Sequence, residues 1–317
     1  MTNKTTRTAL VSALLMALLA FFVLKTYEKA NQPPLNIPVA TNAATKGGTS
    51  DAPAYPSFHL VMGNPSKATD DPANADNFLM RKAYFALSYN DAKATPNWVS
   101  WRLKGGDLGT APRAQFHPDP LLPRSFHRVT PKDYTGGGFN RGHRCPRSDR
   151  SGTAEAATAT FAMTNILPQS PHVNQKAWND LEEYCRALVR IGTRTLYVVS
   201  GPQGRGGEGT DGRAGGIAGG RIAVPAKCWK VVLVVENGTG TADDVGRVTP
   251  RMRAIAVVMP NDQSVGHGWT KYRTSGPAVV SPTTCQRGAY SALHAGRRPR
   301  QGTGANNSRL RYLGQRR

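Results

Sequence analysis

Residues 136–150 read GGGFNRGHRCPRSDR, residues 160–169 read TFAMTNILPQ, and residues 174–182 read NQKAWNDLE. At the centre of the first stretch stand Asn140, Arg141, Gly142 and His143. Gly142 permits close approach of another chain segment. An imidazole takes a proton from water near neutral pH, so His143 is a candidate general base. Arg141 carries a planar guanidinium suited to gripping a phosphate through paired hydrogen bonds. A single histidine is more often structural than catalytic, so the weight rests on its surroundings.

Downstream, residues 175–191 read QKAWNDLEEYCRALVRI and end at Gly192, which predicts a helix closed by a glycine. Ala177, Trp178, Leu181, Tyr184, Cys185, Leu188 and Val189 form an apolar stripe at helical spacing. Asn174 falls at the expected N-cap and at the head of that stripe. Glu182 follows about two turns later, near the edge of the same face. The plainest roles for these residues are structural: a cap for Asn174, and a pair with Arg186 one turn on for Glu182. Strands are expected at 58–62, before a turn at 63–66, and at 83–89, 98–103, 195–200, 229–235 and 254–259. The glycine-rich stretch between 201 and 220 lacks a following Lys-Ser/Thr. It therefore lacks the nucleotide-binding P-loop motif and reads as an exposed loop.

The whole chain carries 41 Lys and Arg against 20 Asp and Glu, a net charge of +21. Such a surplus draws polyanions, nucleic acid foremost, with anionic lipid or cell wall as other partners. Residues 9–24 form an apolar run behind Lys4 and Arg7, which reads as a signal peptide or a short membrane anchor. The expected organisation is a signal or anchor at 1–30, a Pro- and Thr-rich linker at 31–56, a folded domain at 57–295 and a basic tail at 296–317. The expected location is periplasmic or extracellular, with membrane contact only through the first segment. Cys145, Cys185, Cys228 and Cys285 form no C-x-x-C pair; in an exported protein they allow up to two disulfides.

The ordered set N-R-G-H at 140–143, T-N-I-x-P-Q at 164–169 and N-Q-x-x-W-x-x-L-E at 174–182 resembles the DNA/RNA non-specific endonuclease family. LVMGNPS at 60–66, YFALSYN at 84–90, PNWVSWRL at 96–103, RAQFHPDPLLP at 113–123, VPAKCWKVVL at 224–233 and WTKYRTS at 269–275 extend the likeness over nearly all of 58–275. The resemblance implies an α+β, ββα-metal (His-Me finger) fold with a central antiparallel sheet flanked by helices. It implies His143 as general base and Asn174 as the one direct protein ligand of Mg²⁺, with Mn²⁺ as a substitute. It matches Glu182 to a carboxylate that holds water around the ion, and Asn165 to an asparagine that orients these groups. Arg113 and Arg141 correspond to arginines on the scissile phosphate. The implied substrates are DNA and RNA, with 5′-phosphate and 3′-hydroxyl products. Homodimers occur in the family, although no dimer signature stands in this sequence.

Asn140 departs from the family, which usually has Asp at that place. It keeps hydrogen bonding without the charge, and so bears on rate, metal preference and pH optimum. With the basic tail, it supports the rival reading: a catalytically degenerate nucleic-acid-binding protein at the cell envelope.

Overall fold

The computed structural model describes residues 58–274. The predicted signal or anchor at 1–30, the linker at 31–56, the basic tail at 296–317 and Cys285 lie outside the described residues, as does the end of the expected domain.

The domain is built on a six-stranded, wholly antiparallel sheet. Its strands begin with β1 (Phe78–Arg81), β2 (Ala86–Asn90) and β3 (Thr95–Leu103). A separate hairpin follows, made of β4 (Asn140–His143) and β5 (Ile166–Gln169), with helix α1 (Ala154–Ala159) between its strands. Helices α2 (Pro171–Gln175) and α3 (Ala177–Arg190) lead to β6 (Thr195–Gln203). Four short strands form two small hairpins: β7 (Gly207–Gly209), β8 (Gly212–Ala214), β9 (Gly216–Ile217) and β10 (Ile222–Ala223). Strands β11 (Lys227–Val235) and β12 (Ala254–Pro260) complete the large sheet, whose order is β1-β2-β3-β6-β11-β12.

Period-two alternation assigns each strand residue to one of two covered faces. Val99 and Trp101 of β3, Leu196 and Val198 of β6, Val232 and Val234 of β11, and Ile255 and Val257 of β12 share a core with Trp178, Leu181, Cys185 and Val189 of α3. The opposite side chains, among them Tyr197, Val199 and Leu233, pack with Met62 and Ala68 from the first described segment. Because both faces are covered, the strands read as apolar runs.

Two predicted elements differ. Residues 58–62 form turns rather than a strand, beside the end of β3 that β2, whose pairing stops at Ser100, does not reach. The segment is instead held by single bonds. Ser100 Oγ donates to the His59 carbonyl at 2.6 Å, the Arg102 amide to His59 Nδ1 at 3.2 Å, and His59 Nε2 lies 3.1 Å from the Ala83 carbonyl. This set needs the neutral imidazole, with its proton on Nε2. Burial and, secondarily, Arg150 hold the His59 pKa down to about 3. Folding therefore excludes a proton that the unfolded chain takes up below about 6.5. We predict that His59 alone makes stability fall by about 1.4 kcal/mol per pH unit as pH drops from 6.5 towards 3. Urea melts from pH 7.5 to 4.5 check this, with a flatter dependence expected for His59→Gln.

The predicted helix at 175–191 is broken at Lys176, whose φ of −112° and ψ of −108° separate α2 from α3. Asn174 therefore lies within α2 and is not the N-cap of the long helix. The predicted end holds: Gly192 adopts φ +94°. The glycine-rich stretch is not one open loop, since part of it forms the small β7–β10 hairpins. Cys145, Cys185 and Cys228 are free, buried thiols, so the expected disulfides are absent among the described residues. All three pack in the core between sheet and α3.

Candidate active site

Strand β4 delivers His143 from a hairpin in which Asn140 faces Gln169, Arg141 faces Pro168, Gly142 faces Leu167 and His143 faces Ile166. Strand β5 runs almost directly into α2, which carries Asn174. The helix start is pinned from outside by Asn261, a buried side chain. Its Oδ1 accepts from the Ser170 amide at 2.7 Å, while its Nδ2 donates to the carbonyls of Pro168 and Pro225 at 3.1 and 2.9 Å. Ser170 Oγ also bonds Gln263 at 2.8 Å. Gly142 has a steric reason: a Cβ there would stand 2.2 Å from Gln169 Oε1 and 2.6 Å from its Cβ.

The His143 ring lies edge-on to Phe161 at 4.9 Å between centroids and beside Phe116 at 5.3 Å. The same two rings carry arginines. The Arg113 guanidinium lies 5.2 Å from Phe161 and 5.8 Å from Phe116, and that of Arg141 lies 5.5 Å from Phe116. His143, Arg113 and Arg141 are thus gathered on one aromatic shelf. Burial, then Arg113, Arg144 and Arg147, hold the His143 pKa down to about 3. The imidazole is consequently neutral, and able to accept a proton, throughout the neutral pH range. Its Nε2 is shielded from solvent and has no hydrogen-bond partner among the described residues.

Asn140 makes no side-chain hydrogen bond among the described residues. Arg141 is held by the Pro131 carbonyl, which accepts from Nε at 3.2 Å and from Nη2 at 2.6 Å. Loss of the acid at position 140 therefore does not release Arg141.

Asn165 does not face the shelf. It is fully buried, with Oδ1 accepting from the Cys145 amide at 2.9 Å and Nδ2 donating to the carbonyls of Cys145 and Thr160, both at 2.8 Å. It braces the backbone just after His143. We predict that Asn165→Ala loses about 3 kcal/mol or more, since three buried backbone groups lose partners worth about 1–3 kcal/mol each. Thermal and urea melts test this, and Asn165→Asp, which sets a carboxylate oxygen against the carbonyls of Cys145 and Thr160, should lose at least as much.

Glu182 pairs with Lys230, not with Arg186: Oε1 stands 3.0 Å from a Lys230 Nζ that is 1 % exposed. Alternation along β11 places Lys230 on the same face as Val232, towards α3. There its ammonium lies 4.3 Å from the Trp178 ring, while the Arg144 guanidinium lies 4.5 Å from that ring. Arg144 Nη2 donates to Gln169 at 2.7 Å. Arg186 bonds Asp149 at 3.0 Å and Glu183 at 2.8 Å. Arg144, Arg147, Lys230, Phe116 and Phe161 were not singled out in the sequence.

The family model for DNA/RNA non-specific endonucleases matches residues 62–281. The chain belongs to this family. A nuclease of Nostoc sp. is 43% identical over 229 residues, covering 72% of this chain and 79% of its own. Bovine mitochondrial endonuclease G is 30% identical over 225 residues, covering 69% and 74%. The crystal structure of the EndoG/EndoGI complex is similar in fold, with a TM-score of 0.56 at 23% identity over 71% of this chain and 89% of that one. The DNA/RNA non-specific endonuclease family places this chain among metal-dependent hydrolases of nucleic acid, and the α+β, ββα-metal fold expected from the sequence is the one observed.

Proposed function

We propose that the protein is an exported endonuclease that hydrolyses phosphodiester bonds of both DNA and RNA, with His143 as general base. The observation that carries this is a neutral imidazole bearing no hydrogen bond to another described residue, on an aromatic shelf shared with Arg113 and Arg141. Because Nε2 is shielded, Nδ1 is the nitrogen that meets water. Phosphate held by Arg113 and Arg141 places phosphorus beside that nitrogen. His143 takes a proton from water, the oxygen attacks phosphorus in line, and the 3′ oxygen departs, leaving 5′-phosphate and 3′-hydroxyl ends. Water as nucleophile needs no ribose 2′-OH, so both nucleic acids serve. Arginine contacts to the backbone carry no base information.

The donor set fits a hard cation. The Asn174 carboxamide is half-buried and has no hydrogen bond among the described residues. No group of three His, Cys, Asp or Glu is arranged to hold a metal among those residues. Mg²⁺ suits such a site because it keeps most of its own waters, and Mn²⁺ is the natural substitute. Asn174 would hold the ion, and Glu182, fixed through one oxygen by Lys230, would hold water around it. A cation bound there supplies positive charge that offsets charge building on the phosphate and the departing oxygen.

Export rests on the apolar run at 9–24 behind Lys4 and Arg7, with 31–56 as the tether. Cell fractionation of the full chain tests that part; recovery in the cytosol alone contradicts it. For the chemistry, supercoiled plasmid and single-stranded RNA are incubated with the full chain in Mg²⁺ or EDTA, alongside Asn174→Ala. Cleavage of both substrates that is lost with EDTA and with the variant is expected. Binding without cleavage under any divalent cation would sustain the degenerate binding protein.

A further inference from the structure

Away from the His143 shelf, a concavity of about 240 Å³ opens between the turn joining β2 to β3, the end of β6 and the segment around β10. Lys93, Arg205 and Arg221 line it with Asn97 and Gln203, and no acidic side chain does. None of these three cations forms an ion pair with another described residue.

Their placement is built into the backbone. The Lys93 carbonyl accepts from the Ala223 amide at 3.0 Å, which ties two walls together. Arg205 Nε donates to the Gly215 carbonyl at 2.9 Å, leaving its terminal nitrogens free of any described partner. Arg221 follows three consecutive left-handed residues, Ala218 at φ 54°, Gly219 at 68° and Gly220 at 85°. A left-handed alanine is a strained way to turn a chain. Three like charges converging on one hollow repel one another, and an anion in the hollow offsets that cost.

The hollow also connects with the shelf. Ala94, Ile222 and Val224, which adjoin its lining, belong to a small apolar core with Phe139 and Ile166, against which Phe116 packs. Phe116 is the ring beside His143. One compact core thus carries the histidine shelf and the walls of the hollow.

We propose that this hollow is a second phosphate site, which takes a backbone phosphodiester of the nucleic-acid strand at a distance from the one being cut. The proposal rests on the reading of His143 as the cleavage centre. It predicts that a long substrate gains affinity from Lys93, Arg205 and Arg221 and that a short one does not.

The test compares the full chain with Lys93→Ala/Arg205→Ala/Arg221→Ala, three exposed positions whose replacement should leave the melting temperature unchanged. Binding of a 30-base-pair duplex is followed in EDTA across a salt series. Cleavage of a tetranucleotide is followed in Mg²⁺. The expected result is about tenfold or more weaker duplex binding, with a salt slope shallower by about 2–3, since each lost phosphate contact removes about 0.9. Tetranucleotide kcat/KM should be unchanged. Unchanged duplex affinity and slope would overturn the proposal, as would an equal loss on both substrates, which would place the three cations at the cleavage centre. If the unsubstituted chain cut neither plasmid nor tetranucleotide in Mg²⁺, the cleavage reading would fail while the salt slope still decided on the hollow.

Discussion

Replacing His143 by alanine is expected to lower kcat on plasmid DNA by about 10²- to 10⁴-fold, the range for loss of a general base. The KM should change little, because Arg113 and Arg141 keep their hold on the phosphate: one rests on the aromatic rings and the other on the Pro131 carbonyl. The melting temperature should also change little. The imidazole makes no hydrogen bond to another described residue, so its removal leaves no buried partner unsatisfied. What is lost is contact with Phe116 and Phe161, about 0.5–1.5 kcal/mol for an aromatic pair. A large fall in activity with a small fall in stability separates a chemical role from a structural one. The acid limb of the unsubstituted enzyme's kcat/KM should lie below pH 6, because burial and the neighbouring arginines hold His143 neutral there.

The second large effect is on stability. Asp149 and Arg186 are both 3 % exposed, and Nη1 of the arginine lies 3.0 Å from Oδ1 of the aspartate. Trp101 Nε1 donates to the other carboxylate oxygen at 3.0 Å. Burial pushes the Asp149 carboxyl up, and Arg186 pulls it back. Asp149→Ala leaves a buried guanidinium hydrogen-bonded to no acid but the exposed Glu183, and strands the indole N–H. We predict a loss of about 3–5 kcal/mol, the range for breaking a buried pair from one side. Asp149→Asn keeps an acceptor for Trp101 and should lose less. Urea denaturation of both variants measures this. Activity of the folded fraction should survive, since the pair ties the segment after His143 to α3 without touching the shelf.

The long strands of the sheet were legible because WKVVLVV and TLYVVS are apolar runs bounded by chain breakers. Strand β1 escaped because FLMR is short and follows polar residues. Strand β4 escaped because NRGH carries a charge and a glycine; it is a strand only through its pairing with β5. The break at Lys176 was invisible because no proline or glycine marks it, while Asn261 and Gln263, far along the chain, fix the helix before it. For the site, motif order identified His143, Asn174, Glu182, Arg113 and Arg141 as candidates. The supporting cations were harder to see. Arg144 reads as one more charge in a basic loop, yet it lies beneath Trp178. Lys230 had a usable signal, since strand alternation sets it on the same face as the buried Val232 and Val234.

In the proposed reaction the His143 imidazole itself supplies the base. The most direct measurement is plasmid cleavage by full-length His143→Ala in Mg²⁺, with and without added imidazole. Removing the side chain should open space beside Phe116 and Phe161, and free imidazole occupying it should restore part of the lost rate in proportion to its unprotonated form. Near-normal cleavage by the variant without imidazole would contradict the claim and move the base elsewhere on the shelf.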